Sequence, residues 1–270
     1  MLTIDPKDLP TAKLYGYLVS SIGPRPIAFA STVDAEGNPN LSPFSFFNVF
    51  SANPPVLIFS CARRVLNNTV KDTFENVVET KEVVINIVNY SMVQQMSLTS
   101  TEFEKGVDEF VKAGFTKVKS DYVKPFRVKE SPVQIECKLR EVIILGEEGG
   151  AGNLILCDVV KMHIDESILD DDKKIDQHRI DQVARLGGDW YTRANQGLFE
   201  VPRPAKNIGI GVDQIPDEIR LSSILTRNDL GKLGNVENLP GSTEIRSFIA
   251  ENRTFSEMVQ AGDRARIHRL

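Results

Sequence analysis

Residues 133–164 read VQIECKLREVIIL GEEGGAG NLILCDVVKMHI, and this stretch decides the fold class. Val133–Leu145 and Asn153–Ile164 are long runs rich in Val, Ile and Leu, and Glu147–Gly152 between them is a glycine-rich turn. Two β-branched runs broken by such a turn predict a hairpin. Their length predicts a hairpin that packs on or closes a barrel. Cys137 and Cys157 lie inside the runs and are expected to be buried free thiols.

Upstream, the chain also reads as strands. Ile27–Val33 is apolar, Asp34–Asn38 is a turn with Gly37 free to take positive φ, and Asn40–Phe50 returns as one strand rich in Phe and Ser. Pro54-Pro55 breaks the ladder before the short apolar strand Val56–Cys61. A helix is predicted next. Val70, Phe74, Val77 and Val78 share one face, Asp72 can cap it, and Glu75 completes a capping-box-like pattern. Lys81-Glu82 ends that helix and Val83–Val88 is the following strand. Ser91–Thr99 and Val107–Ala113 read as short helices, with Gly114 closing the second. Strands do not alternate with helices, so an antiparallel barrel in a mainly β, α+β arrangement outweighs a doubly wound parallel sheet.

Past Asp165 the composition changes. Asp170–Lys174 (DDDKK) is a solvated loop, and Val183–Tyr191 contains Gly187-Gly188. From Val201 the chain is loop-rich, with Pro202, Pro204 and Pro216, and then offers two or three short helices and a capping box at Thr254-Phe-Ser-Glu257. The expected organisation is one domain, 1–200, and a C-terminal extension, 201–270, that packs on the barrel or on a partner subunit.

Composition excludes several function classes. The chain has 270 residues, 41% of them hydrophobic, enough for a real core. A net charge of −5 leaves no footprint for nucleic acid, so an anionic ligand needs a local positive site. No apolar run approaches the ~20 residues of a membrane span, and MLTIDPKDLPTAK lacks a signal-peptide core, which reads as cytoplasmic. Cys61, Cys137 and Cys157 fit no CxxC pattern, and His163, His178 and His268 are scattered, so no metal site is read. There is no GxSxG elbow and no Walker A loop, and Gly209-Ile-Gly211 and Gly150-Ala-Gly152 lack the third glycine of a dinucleotide loop. No catalytic side chain announces itself, which favours a borrowed cofactor.

Three segments offer chemistry. In Ser60–Asn76 an apolar strand leads through Arg63-Arg64 to Lys71-Asp72-Thr73 at a helix start, where free amides and the macrodipole favour a phosphate. An ordinary capped surface helix carries the same residues. Asn40–Asn48 alternates hydroxyls with aromatics and can present Ser45 and Asn48 to a polar heteroaromatic ring. Taken alone, a Phe-rich core strand is the better account of it. Ala184–Tyr191 offers Arg185, Trp190 and Tyr191 around two glycines that permit close backbone approach; taken alone, a glycine turn with Trp190 as a packing anchor is preferred.

Together these segments form an ordered series: Gly23-Pro-Arg-Pro-Ile-Ala-Phe-Ala-Ser-Thr32, Ser42-Pro-Phe-Ser-Phe-Phe-Asn48, Asn53-Pro-Pro55, Lys71-Asp-Thr-Phe-Glu-Asn76, Glu82-Val-Val-Ile-Asn86, then Ala184-Arg-Leu-Gly-Gly188 with Tyr191. The series, spanning 10–200, resembles the flavin reductase-like family, within it the flavoredoxin and nitrilotriacetate-monooxygenase reductase-component branch. The resemblance implies an antiparallel Greek-key FMN-binding split barrel with peripheral helices, in a homodimer with FMN at the interface. It places Ser31 and Thr32 near the isoalloxazine, and Ser45 and Asn48 at the ring's polar edge. It places Ser60 and Arg63 towards ribityl and phosphate, Lys71, Asp72 and Thr73 on the phosphate, and Arg185 and Tyr191 at another wall of the ring. The implied activity is an FMN-dependent oxidoreductase that takes reducing equivalents from NADH or NADPH to a small-molecule or protein acceptor. The flavin carries the chemistry, so no catalytic side chain is named. The alternatives are a flavoredoxin-like electron carrier and a cofactor-free interaction protein on the same barrel.

Overall fold

The 133–164 hairpin is the longest in the molecule, and the rest of the sheet is built around it. The computed structural model describes residues 1–201, 204 and 208–252. Its elements in chain order begin with α1 (Thr11–Ser21), β1 (Ala28–Val33), β2 (Pro39–Phe44), β3 (Phe47–Ala52), β4 (Pro55–Ser60), α2 (Asp72–Thr80) and β5 (Glu82–Ile87). They continue with α3 (Val93–Leu98), α4 (Glu109–Ala113), β6 (Lys117–Val118), β7 (Arg127–Val128), β8 (Val133–Ile144) and β9 (Asn153–Ile164). A short hairpin, β10 (Val183–Arg185) and β11 (Tyr191–Arg193), follows.

Seven strands form one antiparallel sheet in the order β2-β1-β5-β8-β9-β4-β3. β8 and β9 pair from Val133↔Ile164 to Ile144↔Asn153, with irregularities at Glu136/Cys137 and Leu139/Glu141. The ladder separates β2 from β4 by four strands, yet the rings of Phe44 on β2 and Phe59 on β4 lie 5.5 Å apart. The sheet therefore curls on itself, as a barrel must. Ala28, Ala30, Phe44, Phe59, Ile85, Ile135, Cys137, Ile155 and Cys157 fill the interior, together with Val77 of α2. All three cysteines are buried and free. A second core outside β1 joins Phe29 and Leu41 to Met92, Met96 and Phe110 under α3 and α4.

The structure corrects three local expectations and adds one element. Asn40–Phe50 is two strands, interrupted at Ser45-Phe46, and this break is where the chain crosses from one edge of the sheet to the other. Asp72 does not cap α2; it is the first helical residue, Lys71 holds the cap position, and no side chain caps the first amides. The inward face of α2 is Thr73, Asn76 and Val77, while Val78 is exposed, because the helix covers a polar end of the sheet as well as the core. α1 was not among the expected elements. Its Tyr15, Leu18, Val19 and Ile22 have helical spacing, but the helix follows Pro10, has no side-chain cap and buries only Val19.

Residues 1–198 form one compact unit and 199–270 a second. Within the described part of the second unit lie α5 (Asp217–Arg220), α6 (Arg227–Gly234) and α7 (Ser242–Glu251). Thr226 and Asp229 form a capping box on α6. Pro202 and the capping box expected at Thr254–Glu257 lie outside the described residues. No described helix is long and apolar enough to cross a membrane.

Candidate functional site

β4 ends at Ser60, and the chain beyond it runs alongside the start of β9. Cys61 N donates to Asn153 O (3.1 Å), Arg63 N to Ala151 O (2.8 Å), and Gly150 N to Arg63 O (3.0 Å). The approach is so close that a Cβ on Gly149 would stand 2.9 Å from Val65 O. The chain then turns at Arg64–Thr69 and enters α2 through Lys71, whose backbone is extended.

This path leaves a cavity of about 560 Å³, within the range of small-molecule sites. Its walls are Thr11, Ala12 and Tyr15 of α1, Pro43–Phe46 at the β2–β3 break, and Ser60, Ala62–Leu66, Lys71 and Gly150. Two groups in it lack partners. Ser60 is buried and its Oγ has no hydrogen-bond partner. Lys71 is half-buried, its Nζ lies 5.0 Å from the Phe44 ring centroid, and among the described residues no carboxylate comes within ion-pair distance. Burial, and after it the neighbouring Arg64 charge, hold the Lys71 pKa below its ordinary value. The other cations are engaged. Arg63 donates to Asn68 Oδ1 (2.6 Å) and Asn68 O (2.7 Å), and Arg64 to Glu102 Oε1 (2.8 Å), Thr69 Oγ1 (2.9 Å) and Val70 O (2.7 Å).

Lys71 and Arg64 also line a small polar pocket with Asn40, Ser42, Asp72, Thr73, Thr99–Phe103 and Glu109. A buried network stiffens it. Glu109 accepts from Leu41 N (3.0 Å) and Asn40 Nδ2 (3.2 Å), and Asn40 Oδ1 accepts from Thr73 Oγ1 (2.7 Å) and Thr32 Oγ1 (3.3 Å). Asn76 Nδ2 donates to Thr32 Oγ1 (3.1 Å). Burial raises the Glu109 pKa. The Thr73 hydroxyl, expected to face a ligand, is thus spent inside the protein, and what α2 offers is its uncapped start.

Arg25 ties a third region to this one. It is buried, its backbone pairs with Arg185 in both directions at 2.9 Å, and its guanidinium reaches Val19 O, Ile22 O (2.8 Å), Leu186 O (2.9 Å) and Ser45 Oγ (3.5 Å). Burial lowers its pKa. Arg185 stacks on Tyr191 at 4.6 Å and donates to Gly188 O (2.7 Å). The close approach allowed by the glycines is to α1: a Cβ on Gly187 would lie 2.1 Å from Ser20 Oγ. Trp190 is no packing anchor, being 76% exposed.

Of the residues singled out from sequence, Ser45, Ser60, Arg63 and Lys71 share the large cavity, and Asp72 and Thr73 share the adjoining pocket. Thr32 stands behind them in the buried network. Ser31 lies on the opposite face of β1, paired with Leu41 over the α3–α4 core, and its buried Oγ also lacks a partner. Asn48 is exposed and bonds only its neighbour Val49 N (2.8 Å), and Arg185 and Tyr191 reach the cavity only through Arg25 and Ser45. Tyr15, Arg25, Asn40 and Glu109 were not foreseen. Arg25 had a signal, because it sits within the quoted Gly23–Thr32 segment; the spacing of Tyr15, Leu18, Val19 and Ile22 marks a helix but not a site.

An antiparallel barrel with an anion-ready cavity at a helix start defines a split-barrel binding protein. The chain belongs to the flavin reductase-like family: residues 20–179 match its domain model. A protein of unstated activity from Aquifex aeolicus is 38% identical over 181 residues, 67% of this chain and 90% of that protein. Nitrilotriacetate monooxygenase component B from Bacillus cereus superposes with a TM-score of 0.70 at 32% identity, covering 74% of this chain and 98% of that one. A split-barrel chain from Shewanella frigidimarina gives 0.63 at 28%, covering 75% and 100%.

Proposed function

We propose that this chain is an FMN-dependent oxidoreductase that draws on NADH or NADPH and passes reducing equivalents to an acceptor. One observation carries the proposal: a cavity of about 560 Å³ holds an unpartnered Ser60 hydroxyl and, among the described residues, an unpaired Lys71 ammonium, and Lys71 also lines the adjoining pocket where the uncapped start of α2 lies at Asp72 and Thr73. Those are the donors a phosphomonoester with a polyol arm requires. Lys71 and the first amides of α2 would hold the phosphate, Ser60 and Arg63 the ribityl side, and Ser45, fixed by Arg25, the ring's polar edge. Arg63 would serve by exchanging its bonds to the exposed turn at Asn68 for the ligand. Bound FMN supplies the hydride and electron chemistry. The protein's own residues bind it, orient it and exclude water. A homodimer is part of the proposal: on edge strand β3, Val49 and Phe50 are 63% and 64% exposed, an apolar surface suited to a second copy.

The test is the absorbance spectrum of the purified protein, followed by anaerobic titration with NADPH and NADH. A yellow protein bleached by either nucleotide supports the proposal. Flavin reduced only by a protein donor would make the chain an electron carrier, and no affinity for FMN would remove both readings.

A further inference from the structure

The cavity is walled by both charge and aromatic surface: Arg63, Arg64 and Lys71 supply the first, and Tyr15, Phe44 and Phe46 the second. Tyr15 is unusual among them. It belongs to α1, whose cavity residues precede the family match at residue 20. Its ring touches Phe46 edge-on, with centroids 6.2 Å apart and planes at 63°, and the residue remains 51% exposed although it forms part of a cavity wall. A half-bare aromatic in a concave wall is surface that a planar ligand can cover.

The helix that carries it is seated at both ends. At its C-terminal end Arg25 donates to Val19 O and Ile22 O, and Ser20 packs against Gly187 so closely that only glycine fits there. At its start Thr11 meets Gly150, where a Cβ would come within 3.0 Å of Thr11 Cγ2. Gly150 has φ +92°, so a side chain there is also strained. α1 thus spans from the β10–β11 hairpin to the β8–β9 turn as a fixed wall. We infer that Tyr15 is an aromatic contact for the flavin ring system, supplied by α1. The inference rests on the FMN proposal and deepens it: the cationic side chains select the phosphate, and Tyr15 selects the ring.

The charged and the aromatic contacts predict different signatures, which makes the test specific. Tyr15→Ala and Tyr15→Phe are titrated with FMN and with riboflavin while flavin fluorescence is followed. Tyr15→Ala is expected to weaken both flavins alike, by about three- to tenfold for a lost aromatic contact, and to leave the bound flavin brighter. Tyr15→Phe is expected to keep affinity and most of the quenching. A Tyr15→Ala protein with wild-type affinity and quenching overturns the inference, as does a loss seen with FMN and not with riboflavin. A loss shared by Tyr15→Phe and matched by a lower unfolding temperature overturns it too, by assigning Tyr15 to the fold. Wild-type protein that binds FMN while Tyr15→Ala is unchanged refutes this inference alone; wild-type protein that binds no flavin removes the FMN proposal and this inference together.

Discussion

Two polar clusters in the barrel unit differ in completeness. On β8, the Glu136 carboxylate is fully buried and accepts from Asp121 N (2.9 Å), Tyr122 N (2.6 Å) and His163 Nε2 (2.7 Å), with Arg127 Nε 3.9 Å away. At the cavity, Ser60 Oγ has no partner and Lys71 no carboxylate. Asp121, Glu136 and His163 have the residue types of a metal site and lie within 4.8 Å of one another, but the amides and Arg127 already answer the buried charge. The first cluster is closed and serves the fold; it pins the 119–126 loop to the sheet. The second is open, and an open buried donor set is what a ligand completes.

The comparison is sharpened most by removing Glu136. Glu136→Ala leaves two amides and Arg127 unanswered in the interior, and is expected to cost about 3–5 kcal/mol in denaturant unfolding while preserving the preference for FMN over riboflavin in folded molecules. Burial alone would raise the Glu136 pKa, but the Asp121 and Tyr122 amides and His163 bring it below its ordinary value. Its contribution to stability is therefore present above the usual carboxylate range and lost as the pH falls through the lowered pKa, which an acid unfolding series of wild type against Glu136→Gln checks.

Next in size is Lys71→Ala. Losing a charged phosphate partner is expected to cost about 1.5–3 kcal/mol of FMN affinity, roughly ten- to a hundredfold, with riboflavin unaffected. Because the Lys71 pKa is lowered, FMN binding should weaken as the pH rises through that value, earlier than an ordinary lysine would allow, and the variant should lose this dependence. Ser60→Ala follows. Its hydroxyl is buried without a partner, so stability should hold or rise while FMN affinity falls by about 1 kcal/mol; a loss of stability instead would make Ser60 a structural residue. The smallest effect belongs to Glu102→Gln. The Arg64–Glu102 pair is open to solvent on the Glu102 side, which is 70% exposed, so stability should change by less than about 1 kcal/mol. Freed of that carboxylate, Arg64 should tighten FMN a few-fold at low salt, by isothermal titration, and not at high salt.

The sequence made the strands legible because Pro, Gly and Asp-rich turns punctuate them and because β8 and β9 are long and β-branched. Ser45-Phe46 stayed hidden: the crossing lies between two stretches of identical Phe–Ser pattern, so no composition change marks it. α1 went unread although Tyr15, Leu18, Val19 and Ile22 have helical spacing, because Pro10 offers no side-chain cap and Gly16 interrupts the run. Arg63 and Lys71 stood out in the sequence as part of a helix-start anion pattern, and Ser60 entered through the family resemblance. That Thr73 spends its hydroxyl on Asn40, and that Ser60 has nothing to bond, depends on packing between β2, α2 and β9, which no local pattern encodes. The burial of Glu136 depends in the same way on packing, since the 119–126 loop folds over it and donates the Asp121 and Tyr122 amides.

The most direct test of the open cluster is a paired titration of wild type and Lys71→Ala with FMN and riboflavin. A wild-type preference for FMN that collapses in the variant, with riboflavin affinity equal in both proteins, is the predicted result. Equal losses for the two ligands, or a variant that still prefers FMN as strongly as wild type, would contradict the assignment of Lys71 and the start of α2 to the phosphate.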